Sequence, residues 1–158
     1  MPNWCSNVVR LSKEGFDFEA VGKQISTKGL YAQFLPAPTG LDDHQLTDWR
    51  YCNWGVKWDT TQADMDFDED TMTLYYDSPW SAPREWLAHM VSIGFDVKGA
   101  FWESGMVMGG VYTTLHDGAL VAPMLEWKQD NLVERGSEMY IRLCEYGLIL
   151  EEDEMFDD

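Results

Sequence analysis

Positive charge is scarce in this chain. Its 158 residues hold 11 Lys and Arg against 28 Asp and Glu, a formal net charge of −17 at pH 7. A surface of that sign repels nucleic-acid phosphate and anionic membranes, so it disfavours direct contact with either. Long apolar runs are absent too: none reaches the roughly 18 positions that a membrane-spanning helix needs. The opening Met1-Pro2-Asn3-Trp4 lacks a basic segment leading into an apolar one, the pattern of a secretory signal. The expected location is therefore the cytoplasm. Cysteine is sparse: Cys5, Cys52 and Cys144 are odd in number, far apart and form no CxxC pair. That argues against a disulfide framework and a cysteine metal site, and favours free thiols.

Motifs of catalysis are missing as well. His44, His89 and His116 show neither HExxH nor HxH spacing, and no serine sits in a G-x-S-x-G setting. Gly105, Gly109 and Gly110 are not followed by the Lys-Ser/Thr of a phosphate loop, nor by the helix that a dinucleotide loop opens. Close strand packing or a bulge accounts for them better. No catalytic residue, metal ligand or cofactor is read from these patterns.

What is present is enough apolar material for a core, 45% of residues with 14% aromatic. Trp4 to Leu11 is β-like, and Phe18, Val21, Gly22 and Ile25 then recur at helical spacing behind Asp17. Gly29 closes that helix. Leu30 to Leu35 reads as a second strand ended by Pro36 and Pro38. An aperiodic, Trp-rich insertion follows at about 39–63, with one short helix expected around Leu46 to Tyr51. Met65 and Phe67 alternate with Asp64, Asp66 and Asp68, and the turn Glu69-Asp70 leads into Thr71 to Asp77, the pattern of a β-hairpin. Leu87, Met90 and Val91 form a helical stripe between Ser81-Ala82-Pro83 and Gly94. Phe95 to Glu103 and Met106 to Thr114 read as two strands, and Leu125 to Tyr146 as a terminal helix. The reading is α+β: a βαββαβ antiparallel sheet with two helices on one face, spanning 1–115, then a helical extension with an acidic tail at 116–158.

Four segments carry a resemblance. Met1-Pro2-Asn3-Trp4-Cys5-Ser6-Asn7, Asn53 to Asp59, Asp77 to Pro83, and Glu103-Ser104-Gly105 with Gly109-Gly110 resemble, in order and approximate spacing, the YubB-type family of phage- and plasmid-encoded proteins. The resemblance covers roughly residues 1 to 115. It implies a ferredoxin-like fold and a mobile-element origin in a bacterial host, and it brings no established activity. Ser78 stands where the family pattern has Thr or Ala, and the acidic extension is longer here.

The chemistry-bearing clusters each have two readings. Asn53-Trp54-Gly55-Val56-Lys57-Trp58-Asp59 supplies Trp54 and Trp58 either as anchors for a partner or as a cover folded over the sheet, with Lys57 paired to Asp59. Trp4 and Trp80, at strand ends, are expected in the core. Asp64, Asp66, Asp68, Glu69 and Asp70 put five carboxylates in seven residues. A calcium loop is disfavoured, since Glu69 stands where the turn glycine belongs and Tyr75 where the distal bidentate Glu belongs. On a strand, alternate residues project about 6.6 Å apart on one face, the same order as phosphates along a nucleic-acid strand. Glu151, Glu152, Asp153 and Glu154, with Asp157 and Asp158, add a second acidic cluster. Either cluster docks on a basic surface or is a solvated hairpin and tail. Glu103, between Trp102 and Ser104, is the carboxylate expected half buried. RNA stacking on Tyr75, Tyr76 and Phe101 would need bases nearby, and the sequence offers only Lys98.

The expected function is binding: a nucleic-acid-mimicking inhibitor of a host defence or nucleic-acid-handling complex, contacting a basic protein surface through the hairpin and tail acids and Trp54 or Trp58. Two alternatives stand beside it, a metal-assisted hydrolase or nucleotide-processing enzyme built on Glu103 and the Asp64 to Asp70 cluster, and a structural accessory domain whose acidity keeps it soluble.

Overall fold

The structure, a computed structural model, describes residues 2–116 and 123–150. Its frame is one antiparallel sheet of six strands: β1 (Trp4–Ser12), β2 (Asp64–Asp68), β3 (Thr71–Pro79), β4 (Asp96–Glu103), β5 (Met108–Leu115) and β6 (Met124–Asp130). Their order across the sheet is β2-β3-β1-β4-β5-β6. β1 is central, paired with β3 through Val9↔Leu74 and with β4 through Val9↔Gly99. The expected α+β class is observed, but the sheet is larger than the expected four strands.

Strand periodicity decides what each face carries. Val9 and Leu11, Met72, Leu74 and Tyr76, Val97 and Phe101 point to one side, into the main core. That side is covered by α1 (Phe18–Gly22), α2 (Ile25–Lys28) and α4 (Arg84–Ser92), through Phe18, Ile25, Trp86, Leu87, Met90 and Val91. Each such side chain contributes about 1.5–3 kcal/mol when fully buried. Gly94 ends α4 at φ 101°, a backbone that L side chains rarely adopt. The hydrophilic α3 (Asp43–Asn53) buries no residue fully but packs its Trp49 against the core; an Asp42–Gln45 capping box starts it.

The opposite side carries a smaller cluster. Ala100 and Trp102 on β4 and Val111 on β5 pack under Met139, Tyr140 and Leu143 of α5 (Glu138–Glu145). Gly109 admits this helix, since a Cβ there would meet Leu143, and Gly110 leaves room for the Phe101 ring on the other face. Close packing, as expected, explains both glycines.

Two expected elements are corrected. Leu30 to Leu35 is no strand. Tyr31–Gln33 is a 3-10 turn, because the Asp59 carboxylate accepts the backbone N–H groups of Leu30, Tyr31 and Ala32 and curls the chain around itself. The second strand of the sheet is β2 instead, beyond the insertion. Nor does one helix run from Leu125 to Tyr146: Leu125 and Trp127 face the main core while Glu126 and Lys128 face away, a period of two that pairs β6 with β5. Gly136 at φ 80° and the Ser137 cap then start α5 afresh. Met124–Asp130 thus completes the sheet.

Candidate functional site

Among the described residues α5 packs mainly on β4 and β5, so that, apart from the buried Val8, the same face of β2, β3 and β1 is largely uncovered. Strand alternation aims Asp64, Asp66 and Asp68 of β2 onto it, beside Thr73, Tyr75 and Asp77 of β3 and Ser6, Val8 and Arg10 of β1. The three β2 aspartates and Asp77 are all exposed. The Tyr75 phenol is held above its ordinary pKa by desolvation and by the neighbouring Asp66 carboxylate. β2 is the edge strand, so its carboxylates also line the rim of the molecule.

Two clefts divide this face. The larger, about 930 Å³, runs from Trp4 and Trp58 past Asp64, Tyr75 and Asp77 to Tyr146 and Leu148. At its end three indoles meet: Trp58 stands edge-on to Trp4 at 6.1 Å and to Trp80 at 6.0 Å between ring centroids. Trp4 is 45% and Trp80 43% exposed, so neither is the core residue expected of it. Trp80 also holds φ 62°, a left-handed backbone unusual for a bulky side chain. Its N–H donates to the Asn3 carbonyl at 2.7 Å, which pins the turn. The second cleft, about 460 Å³, shares Val8, Tyr75 and Tyr146 with the first but is lined by Arg10, Lys98 and Arg142.

The four segments behind the family resemblance converge beside the tryptophans. Asn7 Nδ2 donates to Ser78 Oγ at 2.8 Å, and Ser78 Oγ donates to the Ser81 carbonyl at 2.6 Å. Ser81 Oγ reaches the Gly55 carbonyl at 3.4 Å, and Cys5 lies opposite Glu103. This corner is built for rigidity. Burial pushes the Cys5 thiol up to about 12, where it is neither nucleophile nor metal ligand at neutral pH.

The sequence-predicted contact residues divide. Asp64, Asp66 and Asp68 share one exposed face, and Glu69 is exposed at the hairpin tip. Asp70 works locally: at φ 57°, its Oδ1 accepts the Gly15 N–H and its carbonyl the Lys13 N–H. Trp54 is 2% exposed, packs against Tyr31 and Trp49, and donates its indole N–H to the Leu35 carbonyl. It therefore offers a partner no surface. Trp58 is half-buried within the indole trio. Glu151, Glu152, Asp153 and Glu154 lie outside the described residues.

Two expected arrangements of carboxylates are not observed, and the reasons are geometric. Asp59 takes backbone N–H groups from Leu30, Tyr31, Ala32 and Thr60 rather than Lys57. Burial pushes its carboxyl above the usual range, against the pull of those four donors. Glu103 is 1% exposed and accepts the N–H groups of Gly105 and Met106, both at 2.8 Å. It faces the main core from β4, while the Asp64 to Asp68 row faces the other way three strands across. At about 4.8 Å per strand that is roughly 14 Å, too far for a shared reaction centre. Among the described residues no three His, Cys, Asp or Glu side chains are grouped to hold a metal ion. Tyr76 and Phe101 are buried on the covered face, so of the three stacking candidates only Tyr75 is on the open one. The bases around it, Arg10 and Arg142, went unseen because one is cross-strand from Lys98 and the other arrives on α5.

No family model, curated protein or solved structure matches the chain. Among the described residues no helix is long and apolar enough to cross a membrane.

Proposed function

We propose that this protein acts by binding, as an acidic mimic of nucleic acid that occupies a basic protein surface of a host nucleic-acid-handling or defence complex. The observation that carries this reading is the row Asp64, Asp66, Asp68 on one exposed face of an edge strand, with Asp77 beside it. Alternate strand positions lie about 6.6 Å apart, so the row sets negative charges at an interval of the order of phosphate spacing. The part-exposed Trp4 and Trp58 line the end of the same cleft, with Trp80 edge-on to Trp58, as an apolar and cation-accepting anchor. A lysine or arginine of the partner would enter between the indoles and Asp77.

The same proposal includes the protein's kinship and setting. Strands β1 to β4 follow the order 2-3-1-4 with helical crossovers after β1 and β3, which supports a ferredoxin-like core extended by β5 and β6. Membership of the YubB-type family, a phage or plasmid origin and a cytoplasmic location go with it.

The test is affinity capture of partners from a bacterial lysate, washed at low and then moderate salt, in parallel with an Asp66→Lys plus Asp68→Lys variant. The expected result is a stoichiometric basic nucleic-acid-binding complex that is released by salt, lost in the variant and displaced by duplex DNA. Capture insensitive to both salt and charge reversal would overturn the electrostatic account.

A further inference from the structure

The second cleft contradicts the charge of the protein around it. Of 11 basic residues in the chain, Arg10, Lys98 and Arg142 line one space of about 460 Å³, against the single carboxylate Glu145. Arg10 and Lys98 are direct cross-strand partners on β1 and β4. Like charges placed opposite each other in a sheet are destabilising, and Arg142 reaches the same cleft from α5. Among the described residues none of the three forms an ion pair, in a chain rich in carboxylates. Lys128, in the adjoining hollow that shares Lys98 and Arg142, is by contrast paired with Glu126 at 3.8 Å.

We propose that this cleft binds a small phosphorylated ligand carrying a flat ring, of the nucleoside-diphosphate class. Three cations match the charge of two phosphates, and the two guanidinium groups suit bidentate contact with phosphate oxygens. Tyr75 and Tyr146 line the cleft and offer ring faces for stacking. The volume falls within the range of small-molecule sites, about 300–1,000 Å³. A long polyanion fits less well, because the Asp64 to Asp68 row stands on the same face and would repel its continuation. This site does not depend on the acidic edge docking to a partner, and either can fail without the other.

Isothermal titration of the full chain with ADP, adenosine, inorganic pyrophosphate and a ten-residue oligothymidine in about 50 mM salt tests it; the low ionic strength preserves charge contacts. The expected result is saturable one-to-one binding of ADP, weaker by about tenfold or more for adenosine and for pyrophosphate. Arg10→Gln and Arg142→Gln should each weaken ADP by about tenfold, the loss of one charge-assisted contact. Tyr75→Ala should weaken it several-fold. A ligand-free measurement adds a second arm: Lys98→Gln should raise the melting temperature by relieving the Arg10 repulsion. No saturable binding of ADP, or binding indifferent to both arginine substitutions, would overturn the proposal. Oligothymidine binding more tightly than ADP would replace it with a strand-binding surface, and a lowered melting temperature for Lys98→Gln would remove its premise of uncompensated charge.

Discussion

The two faces of one sheet are made from alternate residues of the same strands, yet they are different materials. On β3, Met72, Leu74 and Tyr76 enter a closed aromatic core while Thr73, Tyr75 and Asp77, interleaved with them, line the open face. The covered face is closely packed: Trp86 contacts Tyr31 and Phe34, and the amide N–H of the buried Asn7 is held by Ser78. Among the described residues the open face keeps its acids at the β2 edge and its bases beside α5 without ion pairs between them. Stability is concentrated on the first face, which leaves the second free to carry interactions that folding does not need.

The largest effect that would break this contrast belongs to Trp86→Ala. Trp86 is fully buried, and its loss should cost about 3–5 kcal/mol in urea unfolding. A cost below about 1 kcal/mol would mean that the covered face is not the stabilising one. Next comes Glu103→Ala, which strands the N–H groups of Gly105 and Met106; a loss of about 2–3 kcal/mol is expected from the same measurement, with Glu103→Gln milder. A magnesium- or manganese-dependent thermal shift that vanished in Glu103→Gln would instead revive an enzymatic role.

Alkaline pH sharpens the comparison at a third level. Burial raises Cys5 from 9.0 to about 12 and lifts Tyr31, Tyr76 and Tyr112 well above 10.0, all on the covered face. The unfolded chain loses these protons first, so their stabilisation is complete below about pH 9 and declines from there toward about pH 12. By about pH 10 the loss from Cys5 alone should be on the order of 1 kcal/mol, read as a melting temperature that falls as the pH rises from about 9 toward 12. In the native protein at about pH 8, a thiol reagent should modify the exposed Cys52 quickly and the buried Cys5 only on unfolding. The smallest effect is Tyr75→Ala on the open face, which should change stability by no more than about 0.5 kcal/mol while weakening ADP in the titration above.

Much of this was legible in the chain. The hairpin around Glu69-Asp70 and the stripe of α4 follow from local pattern, since period two and period 3.6 each match one backbone. Leu30 to Leu35 misled because its apolar run was shaped by a carboxylate far along the chain, Asp59. Leu125 to Tyr146 misled because β5 had an edge to fill, and pairing outweighed helical spacing in its first half. At the candidate site, the β2 acids were visible as a period-two row. The trio Trp4, Trp58 and Trp80 was not, being assembled from three distant segments; a tryptophan between Pro79 and Ser81 at a strand end was the only sign.

By itself the sequence determined the sign of the charge, the α+β class and the acidic edge, because each depends on composition or on neighbours a few residues apart. Which face α5 left open, which tryptophans stayed in solvent and which three cations met in one cleft were decided by tertiary structure. Arg10, Lys98 and Arg142 are separated by tens of residues in the chain, and only strand register and helix docking bring them into one cleft.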